Sequence, residues 1–326
     1  MNPFVISHEH PDWFKPLFLE LEKRGIPYQR VNPTQHQYAI EEGKPAFDLF
    51  FNRMSPSAYL RDGVQGTFYT LNYLKHLENL GVRVINGYQA FTYETSKALQ
   101  LMLMQTLGIK YPKSRVVNHA SQVEAATEGL RFPIVIKANI GGSGAGIEKF
   151  NSIKEVQTAI ENKQIDFGID HTALVQEFIP ARGGYISRVE TIGGKYIYAI
   201  RVYTSGDTFN LCPADICQTT TGQDLVRNAC ALDAPKNGLK VEAFTPSPEI
   251  IRNIETIMQH SKIDVGGIEY IIDDRDGEVL YYDVNALSNF VADAVNVIGF
   301  NPHEKLVDFL EQQVAEFSPK EETFSI

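Results

Sequence analysis

Residues 131–147 read RFPIVIKANIGGSGAGI, an apolar run that ends in a lysine and gives way to a string of glycines. The PIVIK segment, 133–137, has the β-branched content of a buried strand, with the Lys137 ammonium at its end. A buried ammonium requires an anionic partner. In IGGSGAG, 140–146, the missing Cβ atoms let backbone N–H groups crowd against phosphate oxygens. The string lacks the Gly-Lys-Ser/Thr ending of a Walker loop, and β-type residues follow it where GxGxxG would open a helix. Taken alone, it also reads as a plain glycine turn.

Other features point the same way as the phosphate reading. VQEFI, 175–179, is apolar apart from Gln176 and Glu177 and suits a strand running into an exposed edge that reads adenine. Arg201 ends the apolar run 196–200. Glu269 and the Asp283-Val284-Asn285 triplet fall on what read as neighbouring strands. Residues i and i+2 of a strand share a face, so Asp283 and Asn285 can converge with Glu269 on a hard cation. Simpler roles stay open for each. Lys97 also reads as a solvated helix lysine, Arg201 as a structural partner of Glu190 or Asp215, and Glu269 as a satisfied core carboxylate.

The surrounding pattern is α/β. Strands are expected at 4–6, 27–31, 47–51 and 82–85, alternating with helices at 12–24 and 67–80 that stop at Gly25 and Gly81. Such alternation predicts a parallel, helix-flanked sheet. A long helix is expected over 92–107, closed by Pro112. A small α/β piece follows, with strands at 114–117, 133–137 and 147–150, a Ser121–Glu124 capping box and a helix from 152 to about 162. Strands rich in Val, Ile and Tyr fill 173–212. A helix over 247–260 opens with Ser-Pro-Glu, strands at 265–272 and 279–284 flank an Asp-Arg-Asp-Gly turn, and an amphipathic helix spans 302–317.

Composition bounds the rest. The chain has 326 residues, 43% hydrophobic and 21% charged, so disorder and fibrous structure are excluded. Forty acidic against thirty basic side chains give a formal net charge of -10, which argues against a nucleic-acid binder. Cys212, Cys217 and Cys230 lack a fourth ligand at zinc spacing and read as buried reduced thiols of a cytoplasmic protein, with a redox role as the alternative. The first residues do not form a signal peptide, and no 18-residue apolar run predicts a membrane span. His8, Glu9 and His10 follow the first strand, where open α/β sheets place ligands, and read more simply as helix-capping or solvated residues. Arg53, in NRMSPS after the third strand, is placed either to clamp a substrate carboxylate or simply to lead into a helix.

Five segments taken in order resemble the ATP-grasp superfamily, nearest the RimK-type α-L-glutamate ligases and their glutathione synthetase-like relatives: SKALQLMLMQTLGIKYP, RFPIVIKANIGGSGAGI, VQEFIP, YAIRV and GGIEYIIDDRDGEVLYYDVNA. The resemblance implies an α/β protein with an N-terminal parallel α/β domain, residues 1–92. An ATP-grasp domain of two α+β subdomains follows at 93–317, its lid at about 112–178, and 318–326 is a loose tail. It implies that Lys97 contacts the α-phosphate of ATP and that Lys137 bridges the α- and β-phosphates, Lys137 also acting in catalysis. Gly141, Gly142, Ser143, Gly144, Ala145 and Gly146 would form the lid loop. Glu177, Phe178 and Ile179 would meet adenine, and Arg201 would steady the transferring phosphoryl group. Glu269, Asp283 and Asn285 would hold one or two Mg2+ ions, with Asn210 near metal and phosphate.

The chain departs from the family pattern in three places. The last metal motif has Asp where Glu is usual. Ile186-Ser187-Arg188 replaces Asp-x-Arg, leaving Arg188 its charge for a substrate carboxylate. The stretch FNLCPADICQTTTGQ lacks the usual Asn-x-x-x-Gly-Gly ending. The implied activity is ATP- and Mg2+-dependent joining of a carboxylate to an amine through an acyl phosphate, on small-molecule or peptide substrates. A phosphotransferase on the same scaffold and a non-catalytic nucleotide-binding protein are the alternatives. No nucleic acid or membrane partner is expected, and a homo-oligomer stays open.

Overall fold

The computed structural model describes residues 4–47, 49–62, 65–141, 146–203 and 240–317. Gly142, Ser143, Gly144, Ala145, Asn210, the three cysteines and the tail from 318 lie outside them. The chain divides into two units, residues 1–89 with 301–326, and residues 90–300.

The first unit strings short aromatic and β-branched runs between helices: β1 (Phe4–Ser7), α1 (Lys15–Lys23), β2 (Tyr28–Val31), β3 (Leu49–Asn52), α2 (Tyr59–Asp62), α3 (Gly66–Asn79) and β4 (Arg83–Ile85). The strands form one parallel sheet in the order β2-β1-β3-β4, as the alternation predicts. Every residue of β1 and β3 is buried, which a parallel sheet with covered faces requires. Gly25 and Gly81 take positive φ just beyond α1 and α3, where a side chain would be strained. His10 Nδ1 accepts the N–H groups of Asp12 and Trp13, so it caps the turn leading into α1.

The second unit begins within α4 (Tyr88–Glu94), followed by α5 (Lys97–Thr106). One helix was expected over 92–107; the chain instead breaks at Ser96. Ser96 is extended (φ -152°, ψ 102°), and its hydroxyl accepts the Leu99 N–H at 3.2 Å. This N-cap restarts the helix with Lys97 as its first residue.

A four-stranded antiparallel sheet follows, built from β5 (Ser114–Val117), β6 (Ile134–Ala138), β7 (Ile147–Phe150) and β8 (Ala173–Glu177) in the order β5-β8-β6-β7. The helices α6 (Val123–Ala126) and α7 (Ile153–Glu161) close its core of Val123, Ile134, Ile136, Val156 and Val175. Ser152 caps α7 as expected. The cap expected of Ser121 falls instead on His119, whose Nδ1 accepts the Ser121 N–H at 3.2 Å.

The larger sheet is antiparallel, in the order β11-β10-β9-β12-β13, from β9 (Tyr185–Ile192), β10 (Lys195–Tyr203), β11 (Val241–Phe244), β12 (Val265–Ile272) and β13 (Val279–Asn285). Between β11 and β12 runs α8 (Pro248–Ser261), with Ser247 as its cap; α9 (Ala294–Ile298) follows β13. One face of the sheet packs Val189, Ala199, Ile268 and Val284 against Leu101 and Met104 of α5 and Ile254, Ile257 and Met258 of α8. Each such fully buried aliphatic is worth about 1.5–3 kcal/mol of transfer free energy. The other face carries Arg188, Glu190, Glu269, Asp283 and Asn285 beside the buried aliphatics Ile186, Ile200 and Val202.

The closing helix α10 (Pro302–Phe317) was read as the end of the ATP-grasp region. It packs on α1 and β3, within the first unit, and buries Leu306, Val307, Leu310 and Val314. Arg24 fastens it by donating to Asp308 at 2.6 Å and Glu311 at 3.1 Å.

Candidate active site

The site grows from the Ser96 break. Asn139, directly after β6, accepts the Ala98 N–H at 2.9 Å and the Ser96 hydroxyl at 3.2 Å, and its own amide donates to Asp170 at 2.7 Å. These bonds pin the start of α5 to the glycine-rich segment. Lys97 Nζ then reaches the Gly141 carbonyl at 3.2 Å and Asp283 Oδ1 at 3.5 Å.

The metal-type residues share one face because of strand register. Asp283 stands directly across from Glu269 on β12, and Asn285 across from Gly267. Asn285 Nδ2 donates to Asp283 Oδ2 at 3.1 Å, which leaves the amide oxygen of Asn285 as a ligand. A bulge at Tyr282 shifts the ladder between Asp283 and Tyr281 and turns the phenol back, so that its hydroxyl donates to Glu269 Oε2 at 2.9 Å.

Charge is concentrated here. Lys137 is 5% exposed on β6. Burial and then the neighbouring Lys97 drive its ammonium down to about 8, against the pull of Asp283 and Glu269. Burial would raise the Asp283 carboxyl, but Lys97 and Lys137 hold it below the usual carboxylate range. Burial pushes Glu269 up to about 7, with Arg188 pulling it down and Asp283 reinforcing the rise. Two cations and two carboxylates thus converge on one small volume.

Arg188 is the arginine on this face. It lies opposite Glu269 in the β9–β12 ladder and donates to Glu269 Oε1 at 3.0 Å, Glu190 Oε1 at 2.6 Å and Ser288 Oγ at 3.1 Å. Where the resembled pattern has its acid two residues before the arginine, this chain has one two residues after it, Glu190. Glu190 is fully buried, and its Oε2 has no hydrogen-bond partner among the described residues.

Arg201, expected beside the transferring phosphoryl group, is turned away. The β9–β10 ladder pairs it with Ser187, one position from Arg188, so its side chain leaves from the opposite face. There the guanidinium lies over the rings of Tyr185 (4.8 Å) and Phe244 (4.4 Å), and its Nε has no hydrogen-bond partner among the described residues. The expected structural pairing with Glu190 is absent too, since Glu190 belongs to Arg188; Asp215 lies outside the described residues.

The remaining expected residues are placed as follows. Glu177 ends β8 with its carboxylate taken by the Arg131 backbone N–H (3.0 Å) and Nε (3.3 Å). The N–H groups of Glu177 and Phe178 bond the carbonyls of Lys113 and Pro133, whereas among the described residues no acceptor is bonded to the Ile179 N–H. Lys149 lies over the Phe178 ring at 4.4 Å. Gly146 has φ +69°, and a Cβ there would meet Asp166 at 3.2 Å. Arg53 belongs to the first unit, 2% exposed, with its guanidinium over the rings of Phe14 (4.9 Å) and Phe51 (5.1 Å).

Sequence reading missed Asn139, Glu190, Gln100 and Glu94. Gln100 is 1% exposed and exchanges two hydrogen bonds with the Val284 backbone; Glu94 accepts the Ala286 N–H. For Glu190 a signal existed, because an i, i+2 Arg/Glu pair within a strand shares a face. The other three act on backbone groups distant in sequence.

The donor set suits a hard cation and a polyphosphate. Glu269, Asp283 and Asn285 offer only oxygen ligands. Among the described residues no three His, Cys, Asp or Glu are grouped to hold a metal by themselves. Mg2+ bound through one or two carboxylates and completed by phosphate and water fits such a set. Lys137 and Lys97, repelling each other across a buried volume, suit the phosphates themselves. No helix among the described residues is long and apolar enough to cross a membrane.

Residues 92–211 match the family model of the RimK-like ATP-grasp domain. A probable alpha-L-glutamate ligase of Marinomonas sp. (strain MWYL1) is 30% identical over 142 residues, 43% of this chain and 46% of that protein. The chain spans about half the length of the curated relatives it matches. The solved structure of the ATP-grasp ligase PsnB with a phosphomimetic variant of its minimal precursor, Mg and ADP superposes with a TM-score of 0.67 at 18% identity, covering 96% of this chain and 99% of that one. D-cycloserine synthetase DcsG gives a TM-score of 0.66 at 13% identity, covering 95% and 99%. At these identities the two structures establish the ATP-grasp fold.

Proposed function

We propose that this chain, whose residues 92–211 are a RimK-like ATP-grasp domain, is an ATP- and Mg2+-dependent ligase that joins a carboxylate to an amine. The observation that carries the reading is the convergence of Lys97 and Lys137 on Asp283, with Glu269 and Asn285 on the same face. Phosphoryl transfer needs mainly positioning and charge neutralisation, and these are the groups it uses.

In this reading Lys97 and Lys137 would hold the α- and β-phosphates, residues 112–178 serve as the lid, and the Ile179 N–H would receive adenine. Glu269, Asp283 and Asn285 would hold Mg2+, which supplies charge neutralisation between the phosphates. A free carboxylate is a poor acyl donor, because its leaving group would be oxide. Transfer of the γ-phosphoryl group to it gives an acyl phosphate and ADP. The amine then attacks the carbonyl carbon, phosphate leaves, and an amide remains. Arg188, beside Glu269, is the arginine positioned for the charge that develops on phosphoryl and carbonyl oxygens, or for an acidic substrate.

The names of the relatives support amino acids or peptides as the class of substrate. The test is incubation of the purified chain with ATP, Mg2+ and paired libraries of carboxylates and amines, read by mass spectrometry and phosphate release. ADP and phosphate formed only when both partners are present would support ligation. A phosphorylated product without condensation, or no ADP with any pair, would overturn it.

A further inference from the structure

We infer that Gln100 is a positioning residue for the cation site, holding the Asp283-Val284-Asn285 backbone in register through its side-chain amide. The inference rests on the metal reading of that triplet and adds a residue outside the proposed ligand set, bonded to the Tyr93 and Val284 backbone.

The argument begins with the sheet edge. β13 is the last strand of the larger sheet, so one row of its backbone groups has no neighbouring strand to bond. The protein covers that row from the α4–α5 side. The Tyr281 N–H donates to the Lys110 carbonyl at 3.0 Å, and the Ala286 N–H donates to Glu94. Between them, both backbone groups of Val284 are taken by one side chain. Gln100 Nε2 donates to the Val284 carbonyl at 2.9 Å, and Gln100 Oε1 accepts the Val284 N–H at 3.1 Å. Nε2 also donates to the Tyr93 carbonyl at 2.9 Å, which fixes the orientation of the amide.

A primary amide presents one donor face and one acceptor in a single plane, as a peptide group does. Gln100 therefore acts as a one-residue strand partner. Its place matters because the ladder on the other side of β13 is irregular. The bulge at Tyr282 removes a regular pairing immediately before Asp283, where slippage by one residue would turn Asp283 and Asn285 to the core face. With Val284 clamped and its side chain buried in the core, Asp283 and Asn285 are both directed to the face of Glu269. Neither Glu, which lacks the donor, nor Leu, which lacks both groups, reproduces this.

The test compares Gln100→Leu and Gln100→Glu with Leu101→Ala, a core change on the same helix that leaves the amide in place. Mn2+ binding to the full chain is measured by electron paramagnetic resonance with ADP present, alongside thermal melting without metal. Outer-shell support of metal ligands is typically worth 10–100-fold in affinity, so Gln100→Leu should weaken Mn2+ binding at least about tenfold. Leu101→Ala should lower the melting temperature yet leave Mn2+ affinity within about twofold of wild type, as expected of core packing that touches no ligand. Should Gln100→Leu fail to fold, Gln100→Glu carries the same expectation. Wild-type Mn2+ affinity in the folded Gln100 variant, or a loss no greater than that of Leu101→Ala, overturns the positioning role alone. A wild-type chain that binds neither Mn2+ nor ADP overturns the reading of the site and the positioning role with it.

Discussion

Asp283 and Glu269 face each other directly across the β12–β13 ladder, yet their carboxyls are driven in opposite directions. Asp283 is held ionised by Lys97 and Lys137, whereas burial pushes Glu269 up to about 7 despite Arg188. Asp283 is thus the permanent anion of the pair. Asp283→Asn should remove the charge that both lysines lean on and reduce Mg2+-dependent ADP formation at least about a hundredfold, more than loss of an outer-shell partner. It should also tighten ADP binding in the absence of metal, since one negative charge near the phosphates is gone. Calorimetry with ADP, with and without Mg2+, checks both; equal metal dependence in variant and wild type would refute the assignment.

Arg188 and Arg201 leave opposite faces of the larger sheet, and only Arg188 lies beside the carboxylates. Arg188→Gln should therefore reduce turnover by more than Arg201→Gln. It should also destabilise the fold, because Glu190 and Glu269 lose a buried cationic partner, a loss worth about 3–5 kcal/mol. Arg201→Gln removes a cation over two rings, worth about 1–2 kcal/mol, and leaves the site face intact. Steady-state rates with chemical denaturation of both variants decide the matter, and a larger turnover loss in Arg201→Gln would reverse the assignment.

The pattern of legibility follows from where each partner sits in sequence. That Asp283 and Asn285 share a face with Glu269 was readable from strand parity, whereas Lys97 and the phosphate role of Lys137 came only from the motif order of the resemblance. The parallel sheet of the first unit was readable from helix–strand alternation, and α7 and α8 from Ser152 and from Ser247-Pro248. The face of Arg201 was not readable. It depends on pairing across the β9–β10 hairpin, where an irregularity between Tyr196 and Tyr198 shifts the register. The break before Lys97 was missed although Thr95-Ser96 offers a capping residue there, and nothing local shows that Asn139, just beyond β6, bonds Ser96 and Ala98. Gln100 and Glu94 bond backbone groups nearly two hundred residues away, which no local pattern encodes.

Two glycines make room for the site in different ways. A Cβ on Gly267 would lie 2.8 Å from both carboxylate oxygens of Glu190, whereas one on Gly266 would lie 2.5 Å from the Asn285 carbonyl and 2.8 Å from Ile263. Gly267→Ala should displace Glu190 and loosen Arg188, lowering turnover with a modest loss of stability. Gly266→Ala must move the β13 backbone itself and should cost about 1–3 kcal/mol or more, as overpacking does. Melting temperatures and Mn2+ affinities of the pair test this. Equal stability loss in the two variants would show that the Glu190 carboxylate is no freer to move than the strand.

Acid should weaken the first unit through its half-buried histidines. His303, in the first turn of α10, is driven down to about 4 by burial and then by Arg53, with Glu20 opposing; His10 is also driven to about 4, by burial and Arg61. The folded-state value lies below the unfolded 6.5, so the unfolded chain binds the proton more readily. The contribution is therefore complete above pH 6.5 and is lost as pH falls from 6.5 towards 4. For His303 it amounts to on the order of 2 kcal/mol after discounting for the partial exposure of the ring. His303→Gln carries no such proton, so its melting temperature should fall less between pH 7 and pH 5 than that of wild type, by a few degrees. Parallel pH profiles for the two proteins would remove His303 from the account of acid sensitivity.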